Sequence, residues 1–193
     1  VTMEFTPGPS LDSVRHHAAV AKLGRRKALV MGGNGAGKTT EILDLVNWVS
    51  VRGPDMLEGR QGAVAVPDES GRVIVIGGHG VGNYLNSTEI YDPETNSFSQ
   101  GPSMSAARSY AAAVRLDDRR ILVIGGRGEG GQYLATTEIL DIASMQFSRG
   151  PTMLTPRQGA AAVKLEDEQR VLVIGGHNSN LGFLRTTEYL DLK

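Results

Sequence analysis

Four glycine pairs punctuate this chain, and what surrounds them recurs with them. The pairs are Gly32-Gly33, Gly77-Gly78, Gly125-Gly126 and Gly175-Gly176, with second members 45, 48 and 50 residues apart. A Thr-Glu pair follows each of them: Thr40-Glu41, Thr88-Glu89, Thr137-Glu138 and Thr187-Glu188. In the first three units a Gly-Pro comes 12 residues after the glutamate, at Gly53-Pro54, Gly101-Pro102 and Gly150-Pro151. A methionine sits two places after each proline: Met56, Met104 and Met153. Self-similarity at a period near 50 residues narrows the folds sharply. Each unit must be a small motif that buries its apolar surface on its neighbours, as in a propeller or solenoid.

Each unit reads as four strands. A run of aliphatic residues precedes each glycine pair, at 28–31, 73–76, 121–124 and 171–174. Short β-branched runs ended by Gly-Gly suit strands covered on both faces. An alanine-valine stretch led by arginine lies upstream, at 60–66, 108–114 and 157–163, and its small residues suit an innermost strand. The alternating segment Glu89-Ile90-Tyr91-Asp92 reads as a third strand, and the segments around Phe98 and Phe147 as a fourth. Four strands per repeat make one propeller blade. The expected fold is therefore all-β: one domain spanning residues 1–193, with repeats near 15–56, 60–104, 108–153 and 157–193.

Composition agrees with a packed domain and excludes several function classes. The chain is 40% hydrophobic and 21% charged, with a formal net charge of −1. No basic stretch points to nucleic acid or to an anionic membrane. With no cysteine there is no disulfide or thiolate metal site. Apolar runs of four to five residues are far too short to span a bilayer. No secretory signal opens the chain, so an intracellular location is expected.

The order arginine, alanine-valine strand, apolar run, Gly-Gly, Thr-Glu-Ile-Tyr-Asp-Pro, aromatic, Gly-Pro-x-Met resembles the kelch repeat, most cleanly at 60–104. The resemblance covers essentially the whole chain and implies a kelch-type β-propeller of four four-stranded blades. The first unit departs from it: the segment between Gly33 and Thr40 is short, and Trp48 falls two places early relative to Phe98 and Phe147. Residues 5–11, Phe-Thr-Pro-Gly-Pro-Ser-Leu, match 98–104 and read as an outermost strand, while the chain stops just after a third strand. The two ends would then pair and close a four-bladed ring. Alternatively, the four blades belong to a larger ring, since kelch propellers more usually have six or seven.

One stretch points to different chemistry. Gly32-Gly33-Asn34-Gly35-Ala36-Gly37-Lys38-Thr39 fits G-x-x-x-x-G-K-[ST], in which glycine amides wrap phosphates, the lysine reaches the β/γ-phosphates and Thr39 holds Mg²⁺. The following Ile42, Leu45, Val46 and Val49 even show helical spacing. Against this, residues 39–45 parallel 136–142 and 186–192, which the repeat marks as strands, and no α/β unit surrounds them. Nucleotide binding therefore ranks below the propeller reading. His79 and His177 follow glycine pairs and would need a third ligand to hold a metal, and none recurs with them. Glu41, Glu89, Glu138 and Glu188, fixed on a strand, read as structural carboxylates.

The resemblance implies a protein-interaction module rather than an enzyme, with no cofactor and a protein or peptide partner, an acidic one among the candidates. Kelch partners often dock on the face made by the loops joining the second and third strands and by the links between blades. By repeat position the first set holds His79, Asn83, Tyr84, Arg127, Glu129, Gln132, Tyr133, His177, Asn178 and Asn180. The second holds Arg15, Arg60, Arg108, Tyr110 and Arg157. Four equivalent arginines would ring one opening and fork carboxylates of a partner; the competing role is pairing with carboxylates of the repeat itself. The alternative class is a carbohydrate-acting propeller enzyme, isomerase- or oxidase-like. The cysteine-crosslinked tyrosine radical of galactose oxidase is out of reach without cysteine.

Overall fold

The structure is a computed structural model describing residues 3–165 and 169–192. Val1, Thr2 and Lys193, which the repeat reading includes in its first and last elements, lie outside the described residues. Four antiparallel sheets form four propeller blades, each running through its strands in chain order. The first comprises β1 (Ala19–Leu23), β2 (Lys27–Met31), β3 (Thr40–Asp44) and β4 (Val49–Arg52). The second comprises β5 (Val64–Pro67), β6 (Val73–Ile76), β7 (Thr88–Asp92) and β8 (Ser97–Gln100). The third comprises β9 (Ala112–Arg115), β10 (Arg120–Ile124), β11 (Thr137–Asp141) and β12 (Gln146–Arg149). The fourth holds β13 (Ala161–Leu165), β14 (Arg170–Ile174) and β17 (Thr187–Asp191), with a small hairpin of β15 (His177–Asn178) and β16 (Gly182–Phe183) in its loop. Among the described residues, the one helical element is a single 3-10 turn at Glu129–Gly131. No helix there is long and apolar enough to cross a membrane.

The innermost strands meet in sequence, β1 on β5, β5 on β9 and β9 on β13, as small alanine-rich strands allow. The core is accordingly split into three apolar layers, one between each pair of neighbouring blades. Leu29 and Met31 of the first blade meet Val73, Val75, Tyr91 and Phe98 of the second. Ile74 and Ile76 meet Ile121, Val123 and Leu140, and Leu122 and Ile124 meet Val171 and Val173. A central strand covered on both faces loses nearly all its exposure, as in β6, where all four residues are buried.

The repeat residues now acquire physical roles. The threonine of each Thr-Glu donates to the proline carbonyl 14 residues on: Thr40 to Pro54, Thr88 to Pro102 and Thr137 to Pro151, at 2.6–2.7 Å. This bond pins the end of the outer strand to the third strand.

Two expectations differ from what is observed. The fourth blade has three strands rather than four, because residues 3–11 form no strand and the Phe5 side chain stands in solvent. The four blades leave their two end faces open, with Val20 of the first and Val163 and Ile174 of the fourth exposed, so closure of a four-bladed ring by this segment is not made here. Trp48 is also not a counterpart of buried Phe98: it sits in the turn before β4 at φ 54° and is 59% exposed.

Candidate functional site

The four arginines do not face outward. The side chains of Arg15, Arg60, Arg108 and Arg157 are 0–2% exposed, and each meets the glutamate of its own repeat, Glu41, Glu89, Glu138 or Glu188, at 2.6–2.9 Å. The arrangement recurs almost atom for atom. Arg108 Nη1 donates to the carbonyls of Gly125 and Thr136, and its Nη2 donates to Glu138 Oε1. The glutamate accepts two further bonds from backbone amides leaving the preceding blade, those of Ser105 and Ala106. Each arginine therefore spends its fork inside the protein, tying glycine pair, third strand and inter-blade link together. Burial pushes Glu188 up, but the Leu154 and Thr155 amides and Arg157 outweigh it and hold the carboxyl below its ordinary range. Glu41 is likewise held low against its burial by the Asp12 amide, Ser50, Arg15 and the Ser13 amide. The expected ring of partner-facing arginines is thus corrected: charges this deep need internal partners.

Two positions beyond each arginine, His17, Gly62, Tyr110 and Gly159 all adopt left-handed φ of 53–62°. Gly62 N–H donates to His17 O, Tyr110 N–H to Gly62 O and Gly159 N–H to Tyr110 O, at 2.7–2.9 Å. This amide chain links the inner ends of the blades. The residue between pairs with the loop after the glycine pair: His16 with Asn34, Gln61 with His79, Ser109 with Arg127 and Gln158 with His177. In the last three blades that loop folds back as a short hairpin, pairing His79 with Tyr84, Arg127 with Tyr133 and His177 with Phe183.

These hairpins and links make one face. The His79 and Tyr84 rings stack edge to face at 4.9 Å, the Arg127 guanidinium lies 5.7 Å from the Tyr133 ring centre, and His177 packs against both Tyr133 and Phe183. Tyr110 meets His17, its hydroxyl 3.2 Å from Nδ1. Burial pushes the Tyr110 phenol above its ordinary range, the Tyr84 phenol adds to this, and Arg127 opposes it. His79, Tyr84, Tyr110, Arg127, Tyr133 and His177 are all half-buried, while Val81 and Leu181 at hairpin tips and Phe183 opposite His177 are open to solvent. Asn83, Glu129, Gln132 and Asn180 are exposed around them, but Asn178 is buried and holds the loop by donating to Pro156 O.

Sequence reasoning missed Phe183, His16 and His17. The signal for Phe183 was present, since Tyr84-Leu85, Tyr133-Leu134 and Phe183-Leu184 are one recurring aromatic-leucine pair. All four histidines of the chain gather on this face. Among the described residues no group of three or more metal-ligating side chains assembles.

The phosphate-loop match is overturned. The segment after it is strand β3, paired on both sides, and no helix follows. The amides of Gly32, Gly33, Asn34, Ala36 and Thr39 all donate to protein carbonyls, and Thr39 Oγ1 donates to Ala36 O. Backbone donors already spent cannot wrap a phosphate. Lys38 is 56% exposed and lies 3.8 Å from Asp55. Lys38→Ala should leave the melting temperature unchanged within error, as exposed substitutions usually do. ATP with Mg²⁺ should shift neither protein, and an ATP-dependent rise in Tm lost in the variant would restore the nucleotide reading.

Residues 70–105 and 107–154 match the Kelch motif, two adjacent copies of which the first spans β6 to β8 of the second blade and the second spans the whole third blade. Two of the four blades of this β-propeller arrangement thus carry the Kelch motif. Such kelch propellers commonly serve as protein-interaction scaffolds. Comparison with curated proteins finds no match.

Proposed function

We propose that this kelch propeller binds a protein or peptide through the face made by the three hairpins and the inter-blade links. The observation that carries this reading is the convergence of Tyr84, Tyr110, Arg127, Tyr133 and His177, half-buried and in contact with their neighbours, on one side of a scaffold whose recurring arginine–glutamate pairs are internal. Aromatic rings and arginine supply large contact area at small entropic cost and dominate interface energetics. Exposed Val81 and Leu181 at hairpin tips, and Phe183 beside His177, add apolar surface that a partner would cover. Arg127 is the cation of this surface, so the partner segment presents a carboxylate to it, flanked by apolar or aromatic groups that lie on Tyr84 and Phe183.

The test compares capture of partners by the wild-type protein and by a Tyr84→Ala/Arg127→Ala variant. Loss of two anchors should weaken the captured interaction at least about tenfold, roughly 1.4 kcal/mol, with Tm nearly unchanged. A partner retained at full affinity by the variant would show that this face is not the one used.

A further inference from the structure

We infer that Asn34 is a site of spontaneous deamidation, in which the free backbone amide of Gly35 attacks the Asn34 side chain and leaves aspartate or isoaspartate in the first blade's loop. The chemistry stands apart from partner binding and involves only this chain and water.

The first observation is an amide with nothing to donate to. In the second and third blades the residue two places after the glycine pair is Gly80 or Gly128. Its amide donates back across the hairpin, to Asn83 O or Gln132 O, at 2.9 Å. The first blade's segment between Gly33 and Thr40 is too short to fold back in that way. There the amides of Gly33, Asn34, Ala36 and Thr39 are all bonded, but that of Gly35 makes no hydrogen bond among the described residues. On its carbonyl side the Asn34–Gly35 peptide plane is held only by the His16 amide, at a long 3.4 Å. A plane restrained so weakly on one side and not at all on the other can turn its nitrogen toward the side chain.

The second observation is the side chain. Asn34 is exposed, and its one side-chain hydrogen-bond partner among the described residues is His16 Nε2, 3.3 Å from Nδ2. The asparagines that precede serine are tied down instead. Asn86 Nδ2 donates to Met104 O, and Asn96 Oδ1 accepts from the Tyr91 hydroxyl. Asn178 Nδ2 donates to Pro156 O while its Oδ1 accepts the Asn180 amide. A residue following asparagine ordinarily shields its own nitrogen with Cβ, and Gly35 has none. This glycine cannot be exchanged, because its φ is +92° and an added Cβ would stand 2.8 Å from Val14 O. The turn therefore requires the residue that leaves asparagine, a thermolabile side chain, most open to attack.

The step balances with water as the only co-reactant. The Gly35 amide loses its proton to hydroxide, and its nitrogen forms a bond to Asn34 Cγ. The Cγ–Nδ2 bond breaks, and Nδ2 takes up a proton and leaves as ammonia, which closes a succinimide ring. Water then opens the ring at either carbonyl. Cleavage of the new N–Cγ bond restores the main chain with aspartate at 34. Cleavage at the original carbonyl carbon routes the main chain through Cγ and leaves isoaspartate. Either product adds one negative charge to the loop face. Aspartate sets its carboxylate where Nδ2 now lies, within reach of His16 for an ion pair. Isoaspartate lengthens the main chain by one methylene and turns the carbonyl that accepts the His16 amide into a free carboxylate, so the His16–Asn34 pairing is lost.

The experiment incubates the folded protein in mildly alkaline buffer and maps it by mass spectrometry after a brief tryptic digest, against an unincubated control. Cleavage after Lys27 and Lys38 gives the peptide 28–38, whose one asparagine is Asn34. The expected result is progressive loss of this peptide to two products, each heavier by the difference between –NH2 and –OH, one of them isoaspartate. One ammonia is released per chain. The loss should quicken as pH rises, as a deprotonated nucleophile requires, and should outrun any change at Asn86, Asn96 and Asn178. Asn34→Gln, harmless to the fold because this side chain is exposed, should abolish the ammonia release over the same period, since closure then needs a larger ring. An intact peptide 28–38 after a period in which the same peptide free in solution converts fully would overturn the inference. So would faster loss at Asn86, Asn96 or Asn178, or undiminished ammonia release from the Asn34→Gln protein.

Discussion

Arg108→Ala is expected to destabilise the chain by about 3–5 kcal/mol, the usual cost of breaking one side of a buried ion pair. The Arg108 and Glu138 side chains are 1% and 4% exposed, so the abandoned carboxylate cannot be rescued by water. The loss is larger than a single contact because Arg108 also donates to the carbonyls of Gly125 and Thr136; the Gly125 carbonyl loses this donor, and that of Thr136 keeps only the Gly125 amide. A typical domain is held together by about 5–15 kcal/mol, so the variant should unfold at a much lower urea concentration or fail to accumulate. Arg108→Lys should recover only part of this, since an ammonium cannot fork between two carbonyls and a carboxylate. A wild-type urea midpoint for Arg108→Ala would refute the clamp. The glutamates give the same clamp a pH dependence. Glu41 and Glu188 are held below the ordinary carboxylate range, so their contribution is full above that range and is lost as pH falls through the depressed values.

Gly125→Val should be about as damaging, for a backbone reason. Gly125 has φ +60°, which a β-branched residue rarely adopts, at a cost of about 1–3 kcal/mol by itself. An added Cβ would also stand 2.5 Å from Arg157 O and 2.9 Å from Met153 Cε. The carbonyl cannot retreat, because it accepts the Gly126 amide at 2.8 Å and joins the third blade to the link into the fourth. The sum is about 3 kcal/mol or more. Gly130→Val is the control: φ is +65° there, yet nothing lies within 4 Å of an added Cβ, so it should suffer only the conformational part. Equal urea midpoints for the two variants would show that the close approach at the glycine pair does not matter.

Much of the architecture was legible because the repeat is written in residues with rigid backbone demands. Gly-Gly, Thr-Glu and Gly-Pro mark strand ends, and the aliphatic runs at 73–76, 121–124 and 171–174 became β6 and all but the first residue of β10 and β14. The site was less legible. Arginine and glutamate each stood out by period, but they lie 26–31 residues apart in sequence, and nothing in their spacing says that they meet. Arginines that look like a binding ring are thus the internal ties of the blades. The loop face was half visible, in Tyr84, Arg127, Tyr133 and His177; Phe183 was legible only through its recurring aromatic-leucine pair, while the places of His16 and His17 came from their contacts with Asn34 and Tyr110 in the folded chain. The phosphate-loop match failed for the converse reason: a local pattern was satisfied by glycines that the turn after β2 requires for its own hydrogen bonds.

The most direct test of the account is amide hydrogen exchange on the complex with a captured partner, set against the free protein. The account predicts new protection at residues 79–84, 127–133 and 177–183, the three hairpins, and around Tyr110, with little change elsewhere. Protection confined to the turns at 92–96 and 141–145, with the hairpins exchanging as in the free protein, would place the partner on another surface and contradict it.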